Sequence, residues 1–448
     1  MNSKQSILKK RSFLTPNQIL VLGFLIVIII GTYLLYLPIS TTGEEPIPFI
    51  DALFTATSAT CVTGLIVLDT GKDFTIFGQW IILILFQIGG LGIMTFSTMF
   101  AFLLGKKISL QQRLIIQESL NQFSIGGLVR LAKHILLFSF FLEGIGTILL
   151  YSYWKNINSN HSSLFLSFFH AISAFCNAGF SLFSDSLEKY ISHWGINVIF
   201  IILIVLGGIG FLVLAELIEF PKQKRLSLHS KLVLVMTIIL LVLGTMGLFF
   251  LENQNIKTIH NYSLTDKILS MAFQSTTART AGFNTIPIGS MTNAGLLLII
   301  MLMFIGASPT STGGGIKTTT FCVAFLWMYY TLKGRRHLYL YQRQISELVV
   351  NKAWVILMLA MSWIMIMTLL LSYFEDFDFI RILFEVISAF GTVGLSTGIT
   401  TYLSTISKIL IIFTMFIGRL GPLTLALSLI INRQVESIQY PKEQVMVG

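Results

Sequence analysis

Phe54-Thr-Ala-Thr-Ser-Ala-Thr-Cys-Val-Thr-Gly64-Leu65 has three ungapped counterparts further along the chain. They are Phe169-His-Ala-Ile-Ser-Ala-Phe-Cys-Asn-Ala-Gly179-Phe180, Ala272-Phe-Gln-Ser-Thr-Thr-Ala-Arg-Thr-Ala-Gly282-Phe283 and Phe384-Glu-Val-Ile-Ser-Ala-Phe-Gly-Thr-Val-Gly394-Leu395. Each is preceded by an apolar span, bounded on its outer side by acidic or polar residues, and followed by another apolar span. Self-similarity at a regular period defines the architectural unit before any local motif does. The unit here is span, short helix, glycine loop, span, four times over. A single glycine in an apolar segment reads most simply as a close helix contact. Four in the same column of four repeats do not.

The short helices are too short to cross a bilayer. About ten to twelve residues at roughly 1.5 Å each cover about 15 to 18 Å, against a hydrocarbon core of roughly 30 Å. They must dip in and return. Asp51, Ser162/Ser163, Thr265/Asp266 and Asp376/Asp378 are the candidate caps at their outer ends, so their C-termini point at the membrane centre. Irregular backbone at that depth is tolerated only against protein or along a water-filled path. Four such loops converge on one axis. Glycine at Gly64, Gly179, Gly282 and Gly394 lets carbonyls face that axis without side chains in the way. Four carbonyl rings can replace the hydration shell of a monovalent cation, helped by four negative helix ends. The loops carry no carboxylate, which disfavours divalent selectivity.

The surroundings agree with lipid as the solvent. Of 448 residues, 54% are hydrophobic and 11% charged, well under the roughly 25% charged usual in soluble domains. Ile19 to Tyr36, Ile81 to Leu104, Leu232 to Leu251 and Ala353 to Phe374 are uncharged, each with at least the roughly 18 apolar residues of a span. They are spread along the chain and leave no soluble domain of any size. Lys4, Lys9, Lys10 and Arg11 before the first run superficially resemble a secretory signal. No small-residue cleavage pattern precedes Glu44 and Glu45, so the run reads as a retained first span.

The formal charge of +10 would suggest nucleic acid in a soluble protein. Its placement points to topology instead. Basic residues gather in the N-terminal tail, at Lys106/Lys107/Arg113, Lys222/Lys224/Arg225/Lys231 and Lys333/Arg335/Arg336/Arg343, and at Arg433 and Lys442. The alternate loops hold Glu44, Glu45, Asp51, Glu252, Glu375 and Asp376. By the positive-inside rule the basic set is cytoplasmic, both termini are inside, and the number of spans is even. Cys61, Cys176 and Cys322 show no metal or redox spacing and read as small buried residues.

Two features lie outside the loops. Ala294 to Ile305 and Thr318 to Leu332 are apolar half-helices separated by Gly306-Ala-Ser-Pro-Thr-Ser-Thr-Gly-Gly-Gly-Ile-Lys317, which cannot hold a continuous helix. The break reads as an intramembrane gate below the loops, the plainer alternative being a hinge or packing break. Its Gly315-Ile-Lys317-Thr318 end is a poor phosphate loop, since Ile separates Gly from Lys and no strand precedes it. Arg419 lies inside the last span between Gly418 and Gly421. It either snorkels to the cytoplasmic surface or projects towards the path as a fixed barrier to cations. Glu143, Glu216 and Glu219 are weaker cases, the last two interfacial.

On these residues the sequence resembles the Ktr/Trk/HKT superfamily of K+ transporters, closest to the membrane subunit of bacterial Ktr systems. The resemblance covers nearly the whole chain. It rests on Thr63-Gly-Leu65, Asn177-Ala-Gly-Phe-Ser181, Arg279-Thr-Ala-Gly-Phe-Asn284, Gly391-Thr-Val-Gly-Leu395, the Gly306 to Lys317 run and Gly418-Arg-Leu-Gly-Pro422. It implies a monomer with its own pore, paired into a homodimer and gated by a cytosolic ring of nucleotide-binding subunits. Many relatives are Na+-stimulated. Plant relatives that favour Na+ carry Ser at the first filter glycine, so Gly64 points to K+. Cys61 stands where Thr is often found.

The expected fold is therefore all-α and membrane-integral, with eight spanning helices and four re-entrant segments in four units: residues 1–105, 106–220, 221–332 and 333–448. The expected filter comprises Cys61, Val62, Thr63 and Gly64; Cys176, Asn177, Ala178 and Gly179; Arg279, Thr280, Ala281 and Gly282; and Gly391, Thr392, Val393 and Gly394. K+ is expected at the carbonyls of the four final glycines. The expected gate comprises Gly306, Ser311, Thr312, Gly313, Gly314, Gly315, Lys317 and Arg419. Na+ is a candidate activator, and no nucleotide is expected on this chain. Two transport alternatives stay open, a secondary Na+/K+ symporter and the K+-binding subunit of an ATP-driven pump. A membrane enzyme would need convergent acid, base or metal ligands, which the seven His and scattered Glu do not form.

Overall fold

A computed structural model of the chain describes residues 15–43, 46–92, 128–156 and 162–429. Lys4 to Arg11, Glu44, Glu45, residues 93–104, Lys106, Lys107, Arg113, Arg433 and Lys442 lie outside the described residues. The helices are α1 (Pro16–Tyr36), α2 (Phe49–Thr60), α3 (Ile76–Leu91), α4 (Leu128–Trp154), α5 (Ser163–Phe175), α6 (Trp194–Gly208) and α7 (Phe211–Gln223). They continue with α8 (Leu228–Glu252), α9 (Leu264–Thr277), α10 (Asn293–Phe304), α11 (Thr318–Leu332), α12 (Glu347–Phe374), α13 (Phe379–Gly391), α14 (Thr405–Leu420) and α15 (Pro422–Leu429). A small antiparallel hairpin, β1 (Tyr339–Leu340) with β2 (Arg343–Gln344), joins α11 to α12.

Helices α1, α4, α8 and α12 run 21, 27, 25 and 28 residues, all above the roughly 20 that cross a membrane. The first starts on a capping box, in which Thr15 N donates to Gln18 Oε1 (2.9 Å) and Gln18 N to Thr15 Oγ1 (3.3 Å). These four are predominantly apolar and expose Ile29, Phe141, Ile148, Leu243, Phe250 and Leu369. Such exposure suits lipid rather than water.

The short helices α2, α5, α9 and α13 run 12, 13, 14 and 13 residues and are buried over most of their length. Ser162 caps α5 as expected, its hydroxyl accepting from Phe165 N. Two expected caps are displaced. Ser263, not Thr265 or Asp266, caps α9, and α2 begins after Pro48 with Asp51 inside its first turn. Asp378 precedes α13 without a side-chain cap bond.

Each short helix packs against the long helix before it, and each second helix of a unit packs on the short helix of the next: α3 on α5, α6 on α9, α10 on α13. The series closes because α14 packs on α2. Lys408 Nζ of α14 and Asp51 Oδ1 of α2 lie 2.6 Å apart at that seam, with side chains 14% and 10% exposed.

A break in the third unit alone is an expectation that needs correction. Helices α3, α6, α10 and α14 are only 16, 15, 12 and 16 residues long. Helices α6 and α7 are bent by 100°, and α14 and α15 by 93°. Gly92, Gly210 and Gly421 sit at the three stops with φ of 83°, 96° and 85°. Among the described residues four helices are long and apolar enough to span, or up to six if each bent pair counts as one.

Lys408→Met is expected to destabilise the fold by about 3 kcal/mol, because it leaves the Asp51 carboxylate buried and unpaired. Replacing both partners by apolar residues should recover most of the loss. Thermal unfolding in detergent of the two single variants and the double variant measures this; independent, additive losses would show that the pair does not hold the seam.

Candidate functional site

The four loops repeat one backbone path. After each short helix a non-glycine residue turns left-handed, Val62 (φ 59°), Asn177 (57°), Thr280 (74°) and Thr392 (51°). Two residues later comes the glycine: Gly64 (88°), Gly179 (73°), Gly282 (78°) and Gly394 (89°). A serine one turn inside the helix fastens three of the loops. Ser58 Oγ accepts from Gly64 N (3.1 Å) and donates to Leu65 O (2.7 Å). Ser173 Oγ donates to Phe180 O (2.7 Å), and Ser388 Oγ accepts from Gly394 N (3.1 Å). The third loop differs, since Thr276 donates back to Ala272 O. Its outer segment is held instead through Thr285, bonded to Ser270 (3.3 Å) and Gln274 (3.4 Å).

The glycines form a closed ring. A Cβ added to Gly64 would strike Ala178 O, with Gly179 Cα 3.0 Å away; one on Gly179 would lie 2.9 Å from Ala281 O. One on Gly282 would lie 2.6 Å from Val393 O, and one on Gly394 would strike Thr63 O. Each glycine therefore abuts the backbone of the next loop, and the fourth abuts the first. Only glycine fits this approach with φ positive. The side chains of Cys176 and Arg279, the residues before the left-handed turns, lead back into the bundle. Cys176 Sγ is 3.1 Å from Gln87 Oε1, and Arg279 Nη2 is 3.5 Å from Thr237 Oγ1 on α8. Asn177 and Thr280 join loops two and three at 3.2 Å. Cys61 and Gly391 stand at the same point of the other two loops, and the backbones of Thr63, Ala178, Ala281 and Val393 make up the ring.

Two buried side chains brace the outer ends of loops two and four from equivalent positions. Glu385 accepts from Ser396 Oγ (2.6 Å), Thr397 N (2.9 Å) and Thr400 Oγ1 (2.9 Å). His170 bonds Ser181 Oγ (3.0 Å) and Leu182 N (3.3 Å). These braces and the serines were not among the expected site residues. The serine column was visible in the aligned repeats.

The segment 306–317 lies directly beneath the ring. Gly314 N donates to Thr392 Oγ1 (2.9 Å), and a Cβ on Gly313 would strike Thr280 Oγ1. Its own polar groups are met by the broken ends of neighbouring helices. Ser308 N donates to Gly208 O (3.0 Å), Thr312 Oγ1 to Gly207 O (3.2 Å), and Gly315 N to Gly418 O (3.2 Å). In return Phe211 N donates to Thr310 O (2.9 Å). Ser311 Oγ donates to Ser308 O (2.6 Å), and Lys317 Nζ to Gly313 O (2.6 Å). Gly306 packs on Gly314 and Gly315. The Arg419 guanidinium donates to Thr312 O and Gly89 O, with Gly90 O at 3.4 Å. It does not snorkel. A cavity of about 250 Å³ lies against this segment, lined by Gly92, Ser311, Lys317, Lys352, Arg419 and Gly421 among others.

Four short-helix C-termini, a glycine ring and a polar segment below it make a site suited to dehydrated cations. The sequence pattern of the TrkH family, described as cation transport protein, matches residues 2–440. The chain belongs to this TrkH family. Similar chains include the Ktr system potassium uptake protein B of Bacillus subtilis, 44% identical over 434 residues and 97% of both chains. The potassium/sodium uptake protein NtpJ of Enterococcus hirae is 38% identical over 451 residues, 99% of this chain and 100% of that one. The crystal structure of the potassium transporter TrkH from Vibrio parahaemolyticus superposes with a TM-score of 0.74 at 20% identity, over 94% of this chain and 86% of that one. At that identity the likeness is one of fold. The motif resemblance to the Ktr/Trk/HKT superfamily is borne out, and the TrkH-family chain is a multi-pass membrane protein.

Gly207 is the tightest test of this packing, since a Cβ there would strike Phe175 O and lie 2.9 Å from Asn177 Oδ1. Gly207→Ala is expected to lower stability by about 1–3 kcal/mol, as overpacking does. Gly144→Ala, where a Cβ meets nothing within 4 Å, should lower it not at all. Melting of the two variants in detergent compares them.

Proposed function

We propose that this chain takes up K+ across the cytoplasmic membrane through one channel-like path, with the four loops as its selectivity filter. The observation that carries this reading is the closed ring in which each filter glycine abuts the next loop's backbone. In this reading the filter comprises Cys61 to Gly64, Cys176 to Gly179, Arg279 to Gly282 and Gly391 to Gly394, with K+ held at glycine carbonyls. Carbonyl oxygens substitute for water around the ion, and the C-termini of α2, α5, α9 and α13 add their dipoles. The names of the Bacillus and Enterococcus relatives support K+ as substrate and Na+ as a second ion.

Segment 306–317 is the gate in this proposal. It rests against Thr280 and Thr392 of the filter, and Lys317 and Arg419 add fixed positive charge on the cation path. Four units divide at 105, 220 and 332, with both termini cytoplasmic. The chain forms a homodimer, sits in membrane lipid and binds no nucleotide itself. A cytosolic nucleotide-binding ring docks on the basic loops, of which Lys222 to Lys231 and Lys333 to Arg343 are described. Lys231 Nζ lies 5.3 Å from the Tyr341 ring centroid, so these two loops present one surface.

Rb+ uptake by proteoliposomes holding the chain alone, with and without Na+, tests the reading. Gly64→Ser is expected to lower the K+ over Na+ preference by about tenfold, roughly 1.4 kcal/mol. Competition curves that overlay those of the parent would place selectivity outside the first loop.

Deleting Ser311 to Gly314 is expected to raise uptake in the absence of any cytosolic partner while the K+ preference stays. A folded deletion variant with the parent's low flux would remove the gate from the proposal. Lost selectivity at unchanged flux would assign the segment to the filter.

A further inference from the structure

Glu143 sits in the middle of α4 with 3% of its surface exposed. A carboxyl group inside a spanning helix is costly and needs a role. Both of its oxygens accept from Gln87 Nε2 of α3, at 2.9 and 3.0 Å. Gln87 Oε1 in turn accepts from Cys176 Sγ at 3.1 Å. Cys176 is the residue before Asn177, whose left-handed turn opens the second loop. The three side chains thus run from a first span, through the preceding unit's second helix, to the back of one filter loop.

Gln87 also stands just before Gly89 and Gly90, whose carbonyls accept from Arg419, and Arg419 donates to Thr312 of the segment beneath the ring. A Cβ on Gly90 would lie 3.0 Å from Cys176 Sγ, so the loop and the end of α3 are in direct contact. One short stretch of α3 therefore holds the second loop on one side and the anchor of segment 306–317 on the other.

We infer that Glu143 is a positioning residue for ion selection: it fixes the Gln87 amide, which fixes Cys176 and with it the second filter loop. This rests on the reading of the loops as the K+ filter. The carboxyl acts only as an acceptor, from Gln87 Nε2 and, at 3.9 Å, from Cys176 Sγ, so Glu143→Gln, which keeps an acceptor oxygen, retains the function. Glu143→Leu keeps the volume and orphans the Gln87 donor.

The test measures half-saturating Rb+, its competition by Na+, and stabilisation of the purified protein against heat by K+ over Na+. Glu143→Leu is expected to raise half-saturating Rb+ by about tenfold, the scale of one broken buried polar pair, with maximal rate changed far less. Its K+ stabilisation should weaken in parallel, and Glu143→Gln should restore both. Gln87→Leu should produce the same shift, and Glu143→Leu with Gln87→Leu together no more than either alone. Should Glu143→Leu fail to fold, Gln87→Leu with its own K+ stabilisation carries the test. Folded variants with the parent's affinity and ion preference would overturn the inference, as would a fall in maximal rate alone. Gly179→Ser is run beside them: if it shifts ion preference and Glu143→Leu does not, only the role of Glu143 fails. If neither shifts it, the filter reading itself fails.

Discussion

A carbonyl that leaves its helix inside a bilayer has no water to turn to, and those of Gly89, Gly90, Gly207, Gly208 and Gly418 are all at helix breaks. Their partners come from elsewhere in the chain: amides and a hydroxyl of segment 306–317, and the Arg419 guanidinium. The segment faces the same constraint from the other side, since its irregular backbone needs acceptors that only broken helices can offer. The bent second helices and the segment beneath the glycine ring are therefore one solution to one problem. Either alone would leave buried polar groups without partners, at several kcal/mol each.

The same economy governs the charges. Arg419 is held by carbonyls rather than by a carboxylate, so its positive charge is fixed in place without being neutralised. Glu385 and Glu252 are satisfied by hydroxyl and amide donors, Glu252 by Thr292, Asn255 and Thr258. Lys408 and Asp51 differ in forming a direct pair, and they do so where two units separated along the chain must meet.

The repeat alignment located all four short helices, and the half-helices around segment 306–317 were legible to within a residue at either end, because Gly and Pro interrupt an apolar run there. Hydropathy hides the bends at Gly210 and Gly421, since it continues across them and a helical window sees no break. A signal was present in Gly89-Gly-Leu-Gly92, Gly207-Gly-Ile-Gly210 and Gly418-Arg-Leu-Gly421, three copies of one pattern in which Arg419 takes the place of a glycine. Glu143 reads as an isolated polar residue in a span until its partners are known. Gln87 lies 56 residues away and Cys176 lies 33 away, and nothing local pairs them.

The Lys408–Asp51 pair joins residues 357 positions apart, which sets an order of assembly. Chains are made from the N-terminus, and early elements fold before late ones exist. Helix α2 is among the first segments inserted, yet the helix that covers its open flank, α14, is nearly the last. Before α14 all four short helices are made, but the ring of contacts between units stays open at Asp51. A chain that ends before α14 therefore lacks the helix that covers α2 and the lysine that pairs with Asp51, so the ring of units closes only when the protein is nearly complete.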